Sequence, residues 1–453
     1  MSRTPPPPPP QAARRSGSGA GLLIVGALAL SAGPLLAHTQ LGATATPMSG
    51  IIAAVGLALA GPDLVRRTGA ALARRLPARA SAATWLAVAN SHGYALRIAG
   101  AMTTLAMAVL FTLTYTLTQT TLMTAISDEV HAGTRADVTV SAPALGGLPG
   151  DTLNAVRAVP GVRAAAPVSA TTVLWGTRVF GDTTVNSTPA LVLTPAAAPV
   201  VDLDVRAGSL ADLTGATIAV DTATATAQSA TVGRTVHLIL GDGTPVAARV
   251  VAVYGRGLGF GPVVLSRDLI AGHTTVALDQ SIMVRTDGTA AARQALTGLA
   301  GSRPGLAVDG SGAGPAGAGG TPPQVWINLA VLAVLLGYLL LGIANKLIAS
   351  TSARGTELAA LRLIGTTPRQ IRAMMRREAA LIFGFALTAG TLLSAIPLAL
   401  LGTGLLHRPW PAGPPWLLPA TALSVAAITF LATELPTRHA LRTDPAQALA
   451  IRA

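Results

Sequence analysis

The 453-residue sequence contains no cysteine, one lysine (Lys346) and few aromatic or charged residues, 3% and 11% respectively. The missing thiols exclude disulfides, thiolate catalysis and cysteine-based zinc or iron–sulfur centres, and leave the redox compartment open. The lone lysine stands in Ile343-Ala-Asn-Lys-Leu-Ile348, so the G-x-x-x-x-G-K-[ST] phosphate loop of an ATP hydrolase has no place here. The 7 histidines show no H-x-H or H-x-x-x-H spacing. Asp202-Leu-Asp204 has no histidine or further acid near it in sequence and is expected to be a surface loop. With no acid–base or nucleophile constellation, the chain is not expected to be an enzyme, and no cofactor is expected in it.

What is abundant is apolar: 51% of residues are hydrophobic and the mean hydropathy is +0.55, a balance foreign to ordinary soluble proteins. A helix needs about 20 apolar residues to cross a hydrocarbon core of about 30 Å. Six uncharged runs approach that length: Gly21–Ala37, Met48–Ala60, Ile98–Met123, Val325–Asn345, Ala379–Leu406 and Trp416–Thr433. The second is short, and the fifth contains Pro397. The expected fold is an α-helical integral membrane protein with six transmembrane helices and one mixed α/β extracytoplasmic domain. A Pro-rich cytoplasmic tail at 1–20 precedes two transmembrane helices in 21–62 and a cytoplasmic linker at 63–97. Helix 3 occupies 98–123, the outer domain 124–324, helix 4 325–345, a cytoplasmic elbow 346–378, helices 5 and 6 379–433, and a cytoplasmic tail 434–453.

Charge orients these segments. Between Thr124 and Gln324 there are 12 arginines and 14 acids, whereas the rest of the chain carries 20 basic and 5 acidic residues. Lysine and arginine are retained on the cytoplasmic side, and long translocated domains escape that rule, so both termini are expected inside and 124–324 outside a bacterial plasma membrane. The basic surplus is spread over membrane-flanking stretches without interleaved aromatics, which argues for a lipid membrane as partner and against nucleic acid. Of the basic residues beyond the outer domain, only Arg408 falls in a loop that alternation places outside.

Within the outer domain, Val138–Val140, Thr152–Ala158 and Val168–Leu174 read as one β-α-β unit, and Ser281–Arg285, Thr289–Leu299 and Leu306–Asp309 as a second. Between them, Arg234–Leu240 and Pro245–Tyr254 flank Gly241-Asp-Gly243, which suggests a type I′ hairpin inside an all-β insert. Gly310–Gly320 contains a formal G-x-G-x-x-G but no strand of useful length before it or soluble helix after it, and reads as a flexible linker.

Thr104, Ala108, Thr112, Thr116 and Thr120 recur every four residues in the third run, a small, hydroxyl-bearing stripe suited to close helix approach. Packing within its own bundle, an interface with a second permease and a substrate-lining role all fit that pattern. Between runs four and five, Leu358, Leu361 and Ile364 recur at three-residue spacing, Gly365 suits a helix C-cap, and Thr367-Pro368-x-Gln370 has the residues of a capping box. These describe two helices meeting in a tight turn. On the second, Arg369, Arg372 and Arg376 share one face and Ile371, Met374 and Met375 another. Anchoring at an anionic leaflet is one use of such a face.

This stretch resembles the signature of FtsX-like permeases, the MacB-type membrane subunits of ABC transporters. Arg354, Glu357, Leu361, Arg362, Ile364, Gly365, Thr367, Gln370, Ile371, Glu378 and Ala379 fit its pattern. Pro436-x-Arg-x-Ala-Leu-Arg-x-Asp-Pro-x-x-Ala-Leu449 is similar to the family's closing motif, and Val159-Pro-Gly-Val162 to its outer β-α-β module. The resemblance runs from about Trp85 to the end and corresponds to the second half of a large two-copy member. It implies that Glu357, Leu361, Arg362, Gly365, Arg369, Gln370, Arg372 and Arg376 form an ATPase-coupling element that docks on a separate ABC ATPase subunit, which binds the ATP. It also implies a second permease copy or partner half. The expected function is coupling of ATP hydrolysis to movement of the outer domain for export or extraction of a substrate. The alternative is a non-transporting, mechanotransmitting subunit that regulates an outer partner such as a cell-wall hydrolase. The runs are nearly free of ionisable residues, with Lys346 and Glu434 at cytoplasmic ends, which favours an amphiphilic substrate over a hydrophilic solute.

Overall fold

A computed structural model describes residues 95–179, 182–273, 279–310, 323–352 and 362–442, together with Arg67, Ala70, Ala71 and Arg74. The first two apolar runs, most of the 63–97 linker, nearly all of the Gly310–Gly320 stretch, Glu357, Leu361 and residues 443–453 lie outside the described residues. The chain divides into two compact units, Leu122–Val325 and the remainder.

In Leu122–Val325 the strands are β1 (Val138–Ser141), β2 (Val162–Val179), β3 (Asp182–Leu193), β4 (Val205–Gly208), β5 (Thr217–Asp221), β6 (Thr235–Ile239), β7 (Pro245–Tyr254), β8 (Val263–Ser266), β9 (Ser281–Thr286) and β10 (Ala307–Gly310). They form one sheet in the order β10-β1-β9-β2-β3-β8-β5-β7-β4, with β6 paired to β2 and β7. Its first four strands make a split β-α-β arrangement. Helices Thr152–Arg157 and Ala290–Ser302 supply the crossovers, and Val138, Val140, Val156, Ala165, Ile282, Val284 and Leu296 form its core. The joint between this lobe and the larger one is β2. Its early residues pair with β9, as in Ala165↔Val284, and its later ones with β3, as in Val173↔Thr188. The sequence placed the second strand only at Val168–Leu174; it begins at Val162 because Ala164–Ala166 already has β9 to bond.

Alternation along β3 shows how the larger lobe is packed. Leu191 and Leu193 enter one buried cluster with Tyr254, Phe260 and Val264, while Ala190 and Val192 enter another with Trp175, Ile218 and Leu265. A strand apolar on both faces is covered on both. The β6–β7 hairpin departs from the expected type I′ turn. Only Gly243 has positive φ, +88°, and Leu240 N–H donates to Thr244 O while Gly243 N–H donates to Leu240 O. That is a three-residue loop with a left-handed glycine, because Asp242 Oδ1 accepts from Thr244 N–H and holds Asp242 out of the left-handed region that I′ demands.

The other unit is helical. With the helices of Leu122–Val325 counted in chain order, Ala95–Gly133 is α1, Pro323–Ser352 α7, Pro368–Leu406 α8 and Leu417–Arg442 α9. Among the described residues three helices are long and apolar enough to cross a membrane, within α1, α8 and α9. The elbow's second helix and the fifth apolar run are one continuous α8, which passes through Pro397. The bundle core joins Ala101, Met102, Leu105, Ala106, Val109 and Leu113 of α1 to Ile343 and Leu347 of α7, Ile382 and Ala386 of α8, and Leu417, Val425 and Ala432 of α9.

Candidate functional site

At the elbow, the helical turn before the corner ends at Leu363, and Gly365 takes φ +99°, a backbone state that costs glycine no Cβ clash. Its N–H donates to Arg362 O at 3.0 Å. Two residues later α8 starts with a closed capping box: Gln370 N–H donates to Thr367 Oγ1 at 3.3 Å and Thr367 N–H to Gln370 Oε1 at 2.9 Å, with Pro368 in the first turn. Both sides of the corner are therefore tied to their own backbone. Leu363 and Ile364 stand out from it, 62% and 82% exposed.

The other face of the elbow is held from within the chain. Ile371, Met374 and Met375 are buried with Leu441 of α9 packed against them, and the Arg362 guanidinium donates to Leu441 O at 3.3 Å. Arg376 forms a two-pronged ion pair with Glu434, whose carboxylate also accepts from Arg438. Of the eight coupling candidates, Gly365 makes the turn, Gln370 closes the cap, and Arg362 and Arg376 are tied to α9. Arg369 is exposed and Arg372 half-buried, while Glu357 and Leu361 lie outside the described residues. The pairing of Arg376 with Glu434 was not legible, because 58 residues separate the two, whereas Glu434 and Arg438 stand at an i,i+4 spacing that the sequence does display.

Along α1 the threonine stripe turns its hydroxyls inward on the helix itself. Thr104 donates to Gly100 O, Thr112 to Ala108 O and Thr120 to Thr116 O. Ala108 is buried and the four threonines half-buried. α8 comes close to α1 next to the stripe: a Cβ on Gly390 of α8 would fall 2.6 Å from Val109 Cβ and 2.7 Å from Ala106 O. A four-residue step drifts about 40° per repeat against 3.6 residues per turn, so the stripe crosses the packed face only gradually. At its end, Thr120 and Thr121 grip Ala412 of the α8–α9 loop, with Ala412 N–H donating to Thr121 Oγ1 at 3.0 Å.

In the unit Leu122–Val325, the last turns of α1 are bonded to the segment after β7. Gly259 N–H donates to Glu129 Oε2 at 2.9 Å, and Gly133 lies so close to the Phe260 ring that a Cβ there would clash. Asp202, expected in a plain surface loop, pairs with Arg135 and Arg256 and accepts from Asp204 N–H. That backbone bond, with help from both guanidiniums, holds its carboxyl below the usual range against the opposing effect of burial. Among the described residues no group of three or more His, Asp or Glu side chains is placed to hold a metal ion.

The helices and their connections thus define a set of spans long and apolar enough to cross a membrane, joined by a capped elbow. Residues 329–445, which contain that elbow, match the family FtsX-like permease C-terminal. No curated protein matches the chain. Among solved structures, the periplasmic region of MacB from Actinobacillus actinomycetemcomitans is similar at 14% identity and TM-score 0.31, covering 41% of this chain and 94% of that one. The extracellular domain of the noncanonic ABC-type transporter YknZ from Gram-positive bacteria is similar at 14% identity and TM-score 0.29, covering 38% and 98%.

Proposed function

We propose that this chain is the permease subunit of an ABC transporter, in which the elbow docks on a separate ATP-binding subunit and ATP-driven movement reaches the outer domain for export or extraction of an amphiphilic substrate. The observation that carries the reading is the corner at Leu363–Gln370. Two large apolar side chains are held in solvent by a glycine turn and a closed capping box, with exposed Arg369 beside them, inside the region that matches the permease family. A soluble surface keeps such residues for a partner. Support for an amphiphile comes from the apolar runs, whose few ionisable residues lie at their ends. In this reading the chain performs no covalent chemistry, a second permease copy completes the transporter, and both termini lie in the bacterial cytoplasm, a placement that the charge partition supports.

The test is co-purification of the ATPase subunit with Arg369→Glu/Arg372→Glu, which should weaken recovery by about 1–3 kcal/mol per interfacial charge pair. Unchanged recovery in a chain lacking 362–367 eliminates the docking site. Orientation is tested by a cysteine at Gly243 in this thiol-free chain, and labelling from the cytoplasmic side alone refutes it.

A further inference from the structure

The ten residues joining α8 to α9, His407-Arg-Pro-Trp-Pro-Ala-Gly-Pro-Pro-Trp416, hold four prolines, two of the chain's 5 tryptophans, one arginine and no acid. They are fixed on three sides. His407 takes a left-handed φ of +55°, and Arg408 N–H donates to Gly402 O at 3.3 Å. The backbone then folds back over the last turns of α8 so closely that a Cβ on Gly402 would lie 2.6 Å from Arg408 O and 3.0 Å from Trp410 O. Thr120 and Thr121 of α1 clasp Ala412, and Gly413 sits against Leu117 Cδ2 with no room for a Cβ between them. On this fixed frame Trp410 and Trp416 are 70% and 64% exposed, and Arg408 is exposed as well.

Aromatic residues are scarce in this chain, and a folded loop that holds two indoles outward does so against the preference for burial. Both ends of the loop enter helices long and apolar enough to cross a membrane, so the loop lies at headgroup level whichever way the chain is oriented. Indole rings favour that layer, where the ring is half in hydrocarbon and the N–H meets water or ester oxygens. Arginine there meets phosphate in a forked pair, and no acid in the loop competes for it. Arg408 is also the basic residue that stands against the charge rule, as expected if a local partner holds it.

We propose that loop 407–416 is a preformed contact for the bilayer interface, with Arg408 taking the phosphate of an anionic lipid headgroup and Trp410 and Trp416 seated beside it at the glycerol level. The inference rests on α8 and α9 being membrane helices and is independent of the ATPase reading.

The full-length chain is placed in phosphatidylcholine vesicles carrying either phosphatidylcholine or phosphatidylglycerol brominated near the glycerol end of the acyl chains, and tryptophan quenching is measured. Trp410→Phe/Trp416→Phe should lose most of the quenchable emission. The native chain should be quenched at lower fractions of the phosphatidylglycerol quencher, and Arg408→Gln should lose that preference by about fivefold while Arg408→Lys keeps part of it. Equal quenching of native and double-variant chains, or an unchanged lipid preference in Arg408→Gln, overturns the proposal. So does quenching that falls as the chain is concentrated, since a second copy would then cover the loop. Flotation with the vesicles separates the two readings: a floating chain with an unquenched loop refutes this proposal alone, and a chain that does not float refutes the membrane reading with it.

Discussion

Arg376 on α8 and Glu434 on α9 meet as a fork, Nε to Oε2 and Nη2 to Oε1, both at 3.1 Å, and Arg438 adds a bond to Oε1 at 3.0 Å. The carboxylate is 13% exposed and both arginines 55%, so Glu434 is the covered hub and the guanidiniums are its half-solvated partners. The fork ties the elbow's second helix to the last helix, and Arg362, bonded to Leu441 O, ties the turn before the corner to it as well.

Glu434→Gln should therefore cost more stability than Arg376→Gln, because the first leaves two arginines without their acid and the second leaves Arg438 paired. Half-exposed pairs are screened, so the larger loss is about 1 kcal/mol. Thermal unfolding in detergent measures both, and equal losses would remove Glu434 from the role of hub.

Gly390→Ala should separate α8 from α1, since its Cβ has no room beside Val109 and Ala106 O. Overpacking of this kind costs about 1–3 kcal/mol. Gly384→Ala, on the same helix with nothing within 4 Å of the new Cβ, is the matched control and should leave the unfolding temperature unchanged or raised.

Thr367→Ala opens the capping box and should cost about 1 kcal/mol at the start of α8, whereas Thr367→Ser retains the acceptor. Hydrogen exchange of the amides at 369–371 reads the effect locally. Equal protection in all three chains would show that packing of Ile371 and Met374 alone sets the corner.

Asp242 titrates with a pKa lowered to about 2, chiefly through the Thr244 N–H and then through His273, 2.9 Å away. A carboxyl depressed in the folded state contributes stability that is complete above its unfolded value of about 3.9 and disappears as pH falls through about 2. Hairpin amide protection should therefore persist at pH 4 and decline toward pH 2, and Asp242→Asn should remove that dependence. An NMR titration midpoint for Asp242 in the ordinary carboxylate range would disprove the assignment.

Much of this was legible in one dimension because it is local. The capping box of Thr367 and Gln370, the Gly365 turn and the two β-α-β units each depend on residues a few positions apart, whose side-chain periods and hydrogen-bonding groups are written in order. The expected type I′ turn failed for a reason that is also local but finer: the Asp242 side chain bonds Thr244 N–H and selects a different turn from the one Asp-Gly alone suggests. The long second strand was truncated in the reading because Ala164 and Ala166 have no strong strand preference, and only pairing with β9 extends it.

The amino-acid sequence by itself determined the long apolar helices and the corner of the elbow, since hydrophobicity and capping act through composition and near neighbours. Only the tertiary structure decided which arginines of the elbow are already engaged, that Gly390 of α8 lies against Ala106 and Val109 of α1, and that Thr120 and Thr121 hold the loop bearing Trp410 and Trp416. Those outcomes depend on groups far apart along the chain meeting at bonding distance. A side chain's spacing tells which face it is on, and only the packed partner tells whether that face is free.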